Sequence, residues 1–179
     1  MKKNYKDALI QKISIIFFAI LCWFSGPISI KALKVGDLAP YFSLKNDANQ
    51  IITLKDFYGK DLVLFFYPKD NTPECIKEAC SIRHSYHFFH KNNVAIVGIN
   101  YDSPTKHALY KKKYNLPFML LSDTDGSIAK AFGAWSHWWH YFAPMRITFI
   151  IDQFGIIKHI LSSIDVTSHA EDIKNLLNK

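Results

Sequence analysis

Short apolar runs alternate along this chain with longer stretches in which apolar residues recur at helical spacing. Leu62–Tyr67 is six consecutive apolar residues, aliphatic then aromatic. Such a run predicts a strand buried on both faces. Val94–Ile99 predicts a second buried strand and Phe118–Leu121 a third. Between them, Thr72-Pro73 and Ser103-Pro104 signal helix starts. A hydroxyl can cap the first N–H groups, and proline is tolerated where its missing N–H would have been unpaired anyway. The first helix is expected to run to about His90 and the second to near Tyr114. Asp123-Thr-Asp-Gly126 predicts a turn, followed by a short helix from Ser127 to Phe132. Arg146–Ile151 and Ile156–Leu161 predict a hairpin across Asp152–Gly155, and His169–Leu177 a last helix.

Strands that alternate with helices and end in a hairpin imply an α/β layer fold with a central mixed β-sheet flanked by helices. The pattern alone does not separate a thioredoxin-like from a flavodoxin-like arrangement. No glycine-rich loop follows Tyr67, which argues against a nucleotide site at that strand end. A proline, a threonine and a cysteine stand there instead.

The 179 residues suit one domain plus an appendage. A hydrophobic fraction of 49% with 21% charged residues argues against disorder. The formal charge of +7 is uneven: Lys2, Lys3, Lys6, Lys12 and Lys31 against Asp7 put +4 in residues 1–32 and leave +3 for the rest. The dense run Lys111-Lys112-Lys113 reads as a solvated helix face, and no nucleic-acid partner is expected. Residues 1–32 read as a targeting segment: lysines, the apolar run Ile13–Phe24, Gly26-Pro27, then Ile30-Lys31-Ala32 as a cleavage site. The twelve-residue run falls short of the ~20 residues that span a bilayer. The expectation is therefore a cleaved export signal and a periplasmic location, with an uncleaved inner-membrane anchor as the alternative. Residues 33–179 form the folded domain. Cys22 reads as an apolar filler, which leaves two cysteines, enough for a redox pair.

Cys75 is placed about three residues into the helix that starts at Thr72, beyond the carboxyl end of a buried strand, where open α/β sheets commonly hold their chemistry. The unpaired N–H groups and positive dipole end there favour a thiolate. Glu74 would oppose that charge unless it points to solvent, so a cation is needed, and Arg146 is the candidate. Glu78 is expected to pair with a basic residue such as Arg83. His84, His87 and His90 spread over about 120° of a helix, wider than one ligand face, and no metal or cofactor is expected.

The stretch Phe66-Tyr-Pro-Lys-Asp-Asn-Thr-Pro-Glu-Cys-Ile-Lys-Glu-Ala-Cys80 resembles the active-site segment of peroxiredoxins, in particular the bacterioferritin-comigratory or Q-type subfamily. Pro68, Thr72 and Cys75 meet its Pro-x-x-x-Thr-x-x-Cys core, and Cys80 its second cysteine five residues on. Lys34-Val-Gly-Asp37, Leu121–Gly126 and Arg146–Asp152 extend the similarity over the domain. The resemblance implies a thioredoxin-like fold and a peroxidase acting on hydrogen peroxide and organic hydroperoxides. Cys75 would be the nucleophile that becomes a sulfenic acid, Cys80 the thiol that resolves it as a disulfide, and a thioredoxin-like dithiol the reductant. Thr72 would hydrogen-bond the peroxide, Arg146 stabilise the developing charge, and Pro68 shield the sulfur. Monomer or weak dimer is the expected state.

Two departures stand out. Glu74 replaces a usual glycine and Ile76 a usual hydroxyl residue, and both are expected to weaken the thiolate or slow the reaction. Trp135–Phe142 is far more aromatic than the stretch expected before the arginine, and reads as core or subunit interface, or as a site for bulky peroxides, membrane or partner. Other function classes are a thiol–disulfide oxidoreductase, which would prefer Cys-x-x-Cys, and a tethered binding module. In a regular α-helix, residues five apart have Cα atoms roughly 8.7 Å apart, beyond the ~7 Å limit for a disulfide. Cys75 and Cys80 are therefore expected to stay separate until the helix unwinds.

Overall fold

The computed structural model describes residues 32–135 and 143–178, and the chain divides into two units at Ala32/Leu33. The targeting segment up to Lys31, Cys22, and residues 136–142 with His137 and His140 lie outside the described residues. Seven strands form one sheet in the order β2-β1-β5-β4-β3-β6-β7. They are β1 Ser43–Asn46, β2 Ile51–Thr53, β3 Asp61–Phe66, β4 Val94–Asn100, β5 Met119–Ser122, β6 Ile147–Ile151 and β7 Ile157–Leu161. The central strands β3, β4 and β5 are parallel, while β6 and β7 on one side and β1 and β2 on the other pair antiparallel. The expected mixed sheet is present.

Helices cover both faces: α1 Pro73–His84, α2 Tyr86–Lys91, α3 Pro104–Tyr114, α4 Ser127–Ala131 and α5 His169–Leu177. A 3-10 helix spans Leu54–Phe57. Because side chains alternate along a strand, β3 and the residue after it feed both faces. Leu62, Leu64 and Phe66 join one core cluster with Phe57, Phe132 and Phe149. Val63, Phe65 and Tyr67 join the other, with Cys75 and Ile82 of α1, Tyr110 of α3 and Ile173 of α5. Among the described residues no helix is long and apolar enough to cross a membrane.

Two features of local structure correct the sequence pattern. The first helix stops at His84, not near His90. Ser85 adopts φ −94° and ψ 1°, and its N–H reaches the carbonyls of Ser81 and Ile82, so the helical ladder closes and α2 begins anew. Serine favours such breaks because its backbone is readily served outside a helix. The hairpin β1–β2 leaves no mark in the pattern: its strands are four and three residues long and largely exposed, too short to show a period. The lysine run on α3 is partly engaged, with Lys111 2.9 Å from Asp47 and Lys113 3.3 Å from the Asn71 side chain.

Gly98 on β4 lies under the rings of the α1 face, and a Cβ there would stand 2.7 Å from Phe65 Cζ and 2.9 Å from Leu120 Cδ2. Gly98→Ala should therefore lower unfolding free energy by about 1–3 kcal/mol through overpacking, read from the urea midpoint at constant m-value.

Candidate active site

Residue pairing in the sheet explains how the site is assembled. In the antiparallel β3–β6 ladder Phe66 lies opposite Ile147. The start of β6 therefore stands beside the carboxyl end of β3, where the chain leaves through Pro68–Asn71 to begin α1. Arg146, one residue before β6, thereby reaches the first turn of α1. Although 71 positions separate it from Cys75, its Nη2 lies 3.4 Å from the Cys75 Sγ.

Cys75 is the third residue of α1, with Pro73 first, and is buried. Thr72 takes the N-cap position with extended backbone, but its side chain caps nothing. The hydroxyl donates to Lys69 O at 3.3 Å, so the expected capping role is corrected. No side-chain cap competes for the first-turn N–H groups, and the positive end of the helix faces the sulfur's surroundings. Glu74 is exposed and pairs with Lys77 at 3.0 Å, so its charge is directed into solvent, the condition that the sequence demanded of it. Pro68 is half-buried in the loop that precedes Thr72.

Glu78 is fully buried and its partner is Arg146, not Arg83. Arg83 instead donates to Tyr114 O and contacts His84. The reason is the helical period: residue 78 lies three positions after Cys75 and shares its core-facing side, whereas Arg83 is turned toward α3. Arg146 Nη1 donates to Glu78 Oε2 while Nη2 serves the sulfur, so one guanidinium fork spans both. Burial works against the Arg146 charge, but the Glu78 carboxylate and the Cys75 sulfur outweigh it and hold the guanidinium above its ordinary value. Behind Glu78 stands His169, also buried, with Nδ1 3.0 Å from Glu78 Oε1.

A second polar cluster fixes the loop between β3 and α1. Asp70 accepts from Tyr67 Oη at 2.7 Å and from Asn100 Nδ2 at 2.9 Å, and lies 2.9 Å from His107 Nδ1. Its own N–H donates to Asp102 Oδ2 at 2.9 Å. Burial, then the neighbouring Asp70 carboxylate, pushes the Tyr67 phenol well up. Tyr110 Oη donates to the Cys75 carbonyl at 3.0 Å, and burial followed by the nearby Cys75 sulfur raises that phenol as well. Sequence pattern missed Asp70, Tyr110, His107 and His169, since each stands in a polar or mixed stretch that gives no sign of burial and most of their partners lie far along the chain.

Cys75 and Cys80 are both free thiols on the unbroken helix α1. Cys80 is half-buried in a groove of about 440 Å³ between α1 and α5, lined in part by Lys77, Ser81, Thr167 and Glu171. Trp135 packs against Gly126 with Lys130 Nζ 4.9 Å over its ring, which makes the start of the aromatic segment part of the core edge. His84, His87 and His90 are exposed and divided between α1 and α2.

Comparison with known proteins agrees with this arrangement. The AhpC/TSA family model matches residues 35–160. The putative peroxiredoxin bcp of Coxiella burnetii is 38% identical over 146 residues, covering 79% of this chain and 97% of that protein. Peroxiredoxin Bcp of Bacillus subtilis is 38% identical over 149 residues, covering 80% and 95%. Among solved structures, peroxidoxin BcpB of Mycobacterium tuberculosis superimposes with a TM-score of 0.76 at 30% identity, covering 82% and 97% of the two chains. A cysteine-to-serine mutant of Xylella fastidiosa PrxQ gives a TM-score of 0.78 at 29% identity, covering 83% and 97%. With a matching sheet, a helix-borne thiol under an arginine and this similarity over the whole domain, the chain belongs to the AhpC/TSA family, as a thioredoxin-fold peroxiredoxin of its Bcp/Q subfamily.

Proposed function

We propose that Cys75 reduces hydroperoxides as a thiolate and that Cys80 resolves the product within the same chain. The observation that carries this reading is the Arg146 fork, 3.4 Å from the sulfur at a helix mouth. A fixed cation there favours the charged sulfur, and it also faces the oxygen on which charge grows as the peroxide bond breaks. The sulfur attacks the terminal peroxide oxygen, an S–O bond forms as the O–O bond breaks, and the departing alkoxide takes up a proton. Pro68 and the buried setting exclude water. The Thr72 hydroxyl, engaged only by a long bond to a carbonyl, is available to a bound peroxide.

The Cys80 thiol then displaces hydroxide from the Cys75 sulfenic acid, which leaves as water, and a disulfide forms. Both cysteines sit on an intact helix, in which a five-residue spacing holds Cα atoms roughly 8.7 Å apart. Resolution therefore requires α1 to unwind. A thioredoxin-like dithiol returns the disulfide to two thiols, and the groove beside Cys80 gives such a partner access to the second sulfur. The protein acts as a monomer or weak dimer. It is exported by residues 1–32 as a cleaved signal or held at the inner membrane by the same segment, a reading supported by lysines ahead of an apolar run.

With one equivalent of peroxide, the wild-type chain should lose two hydrogens in intact mass, and Cys80→Ser should instead gain one oxygen, about 16 Da. The same spectrum reports whether residues 1–32 are present. Cys75→Ser should consume no peroxide catalytically, and turnover in that variant would remove the assignment. Arg146→Lys, which keeps the charge but loses the fork, should slow sulfenic acid formation about 10²-fold, measured by stopped flow. Amide exchange at residues 73–82 should accelerate on oxidation, and equal protection in both redox states would count against the unwinding step.

A further inference from the structure

Glu78 lies between the two thiols in sequence, and its side chain is 1% exposed. Its carboxylate joins three elements: α1 itself, Arg146 at the start of β6, and His169 at the start of α5. His169 is wholly buried, and its ring packs edge-on to Phe65 of β3 at 6.3 Å. Its Nε2 lies 2.9 Å from Thr148 Oγ1 of β6, and its Nδ1 lies 3.0 Å from Glu78 Oε1. The N–H direction is off the line to Oε1, so Nδ1 and Oε1 form a close electrostatic contact and have no aligned hydrogen bond.

The chemistry of the neighbours fixes the proton. An unprotonated Nδ1 would set a partly negative nitrogen 3.0 Å from a carboxylate oxygen and repel it, whereas an N–H sets positive charge beside that oxygen, so Nδ1 carries hydrogen. Thr148, whose hydroxyl both donates and accepts, serves Nε2 in either state. Glu78 thus has a hydrogen-bearing nitrogen beside each oxygen, one from Arg146 and one from His169. Without the second, Oε1 would be buried with no positively polarised neighbour of its own, a costly condition that the carboxylate would relieve by turning. Turning Glu78 moves Arg146, and Arg146 is the group on the sulfur.

We propose that His169 is a positioning residue which, through Glu78, keeps Arg146 on Cys75, and that the Arg146–Glu78–His169 cluster latches α1 in its wound form. The proposal rests on the peroxidase reading. Unwinding α1 to bring Cys80 to Cys75 carries Glu78 out of the cluster and strips the half-buried Arg146 and the buried His169 of their partner. The latch therefore has opposite effects on the two steps. It favours attack on peroxide and opposes disulfide formation.

Two conservative variants of the full chain test it, because an asparagine amide nitrogen falls near the Nδ1 position and a glutamine amide nitrogen near Nε2. Stopped-flow single turnover with hydrogen peroxide reads sulfenic acid formation and disulfide formation separately. His169→Gln should slow the first about tenfold, the order of one polar contact to a buried charge, and should speed the second. His169→Asn should restore both toward the wild type. Equal rates in the two variants, or slowing of both steps together, would overturn the role of His169 while leaving the peroxidase reading intact. A wild type inert to peroxide would instead sink that reading. If His169→Gln does not fold, ring-nitrogen NMR of the wild type decides: the Nδ1-bound proton should be seen in the reduced protein, with a changed signal once the disulfide forms. An Nε2–H tautomer, or a ring blind to oxidation, would overturn the proposal.

Discussion

One guanidinium divided between a buried carboxylate and a buried sulfur is the contact on which this molecule turns. Arg146 gives one terminal nitrogen to Glu78 and the other to Cys75, and the rigid plane of the guanidinium couples the two contacts. A carboxylate in the core needs the cation, the cation needs an anion to offset its own burial, and its second terminal nitrogen lies against the sulfur. A lysine would supply charge without that geometry.

The sheet makes the contact possible. Antiparallel placement of β6 beside β3 brings the residue before one strand next to the residues after the other. The loop between β3 and α1 is then immobilised from the opposite side. Asp70, held by Tyr67, Asn100 and His107, ties it to β4 and α3, and Tyr110 of α3 holds the Cys75 carbonyl. The first turn of α1 is thus fixed from both flanks, by β6 and α5 on one and by β4 and α3 on the other. A helix end ordinarily frays at little cost. In the resolution step proposed here that fraying would break a charge cluster held in the core, which would make the rearrangement a discrete event.

Much of this is legible directly in the residues. The run Leu62–Tyr67 is bound to be a two-sided strand, and it supplies both core clusters. Thr72-Pro73 marks a helix start, and Cys75 and Cys80 fall on one helix with their spacing fixed by its pitch. The solvent-directed Glu74 and the arginine at the head of β6 follow from the need to stabilise one charge. Legibility ends where a side chain's partner lies far along the chain. Sequence points Glu78 to Arg83, a near neighbour, because sequence distance is the only distance it offers. It suggests for Thr72 a cap that the side chain does not make, and Ser85 hides a break inside a pattern that looks continuous.

The sequence by itself determined the central strands, the start of α1 and the five-residue spacing of the two cysteines along it, because strand alternation and helical pitch are local properties of the backbone. Only the tertiary structure decided which groups share the arginine over the Cys75 sulfur. Arg146, Glu78 and His169 come from three separate stretches of chain, and what unites them is the scarcity of partners in a dry interior. A buried charge must take whichever opposite charge the packed sheet and helices bring within reach, and that depends on strand order, which no local pattern encodes.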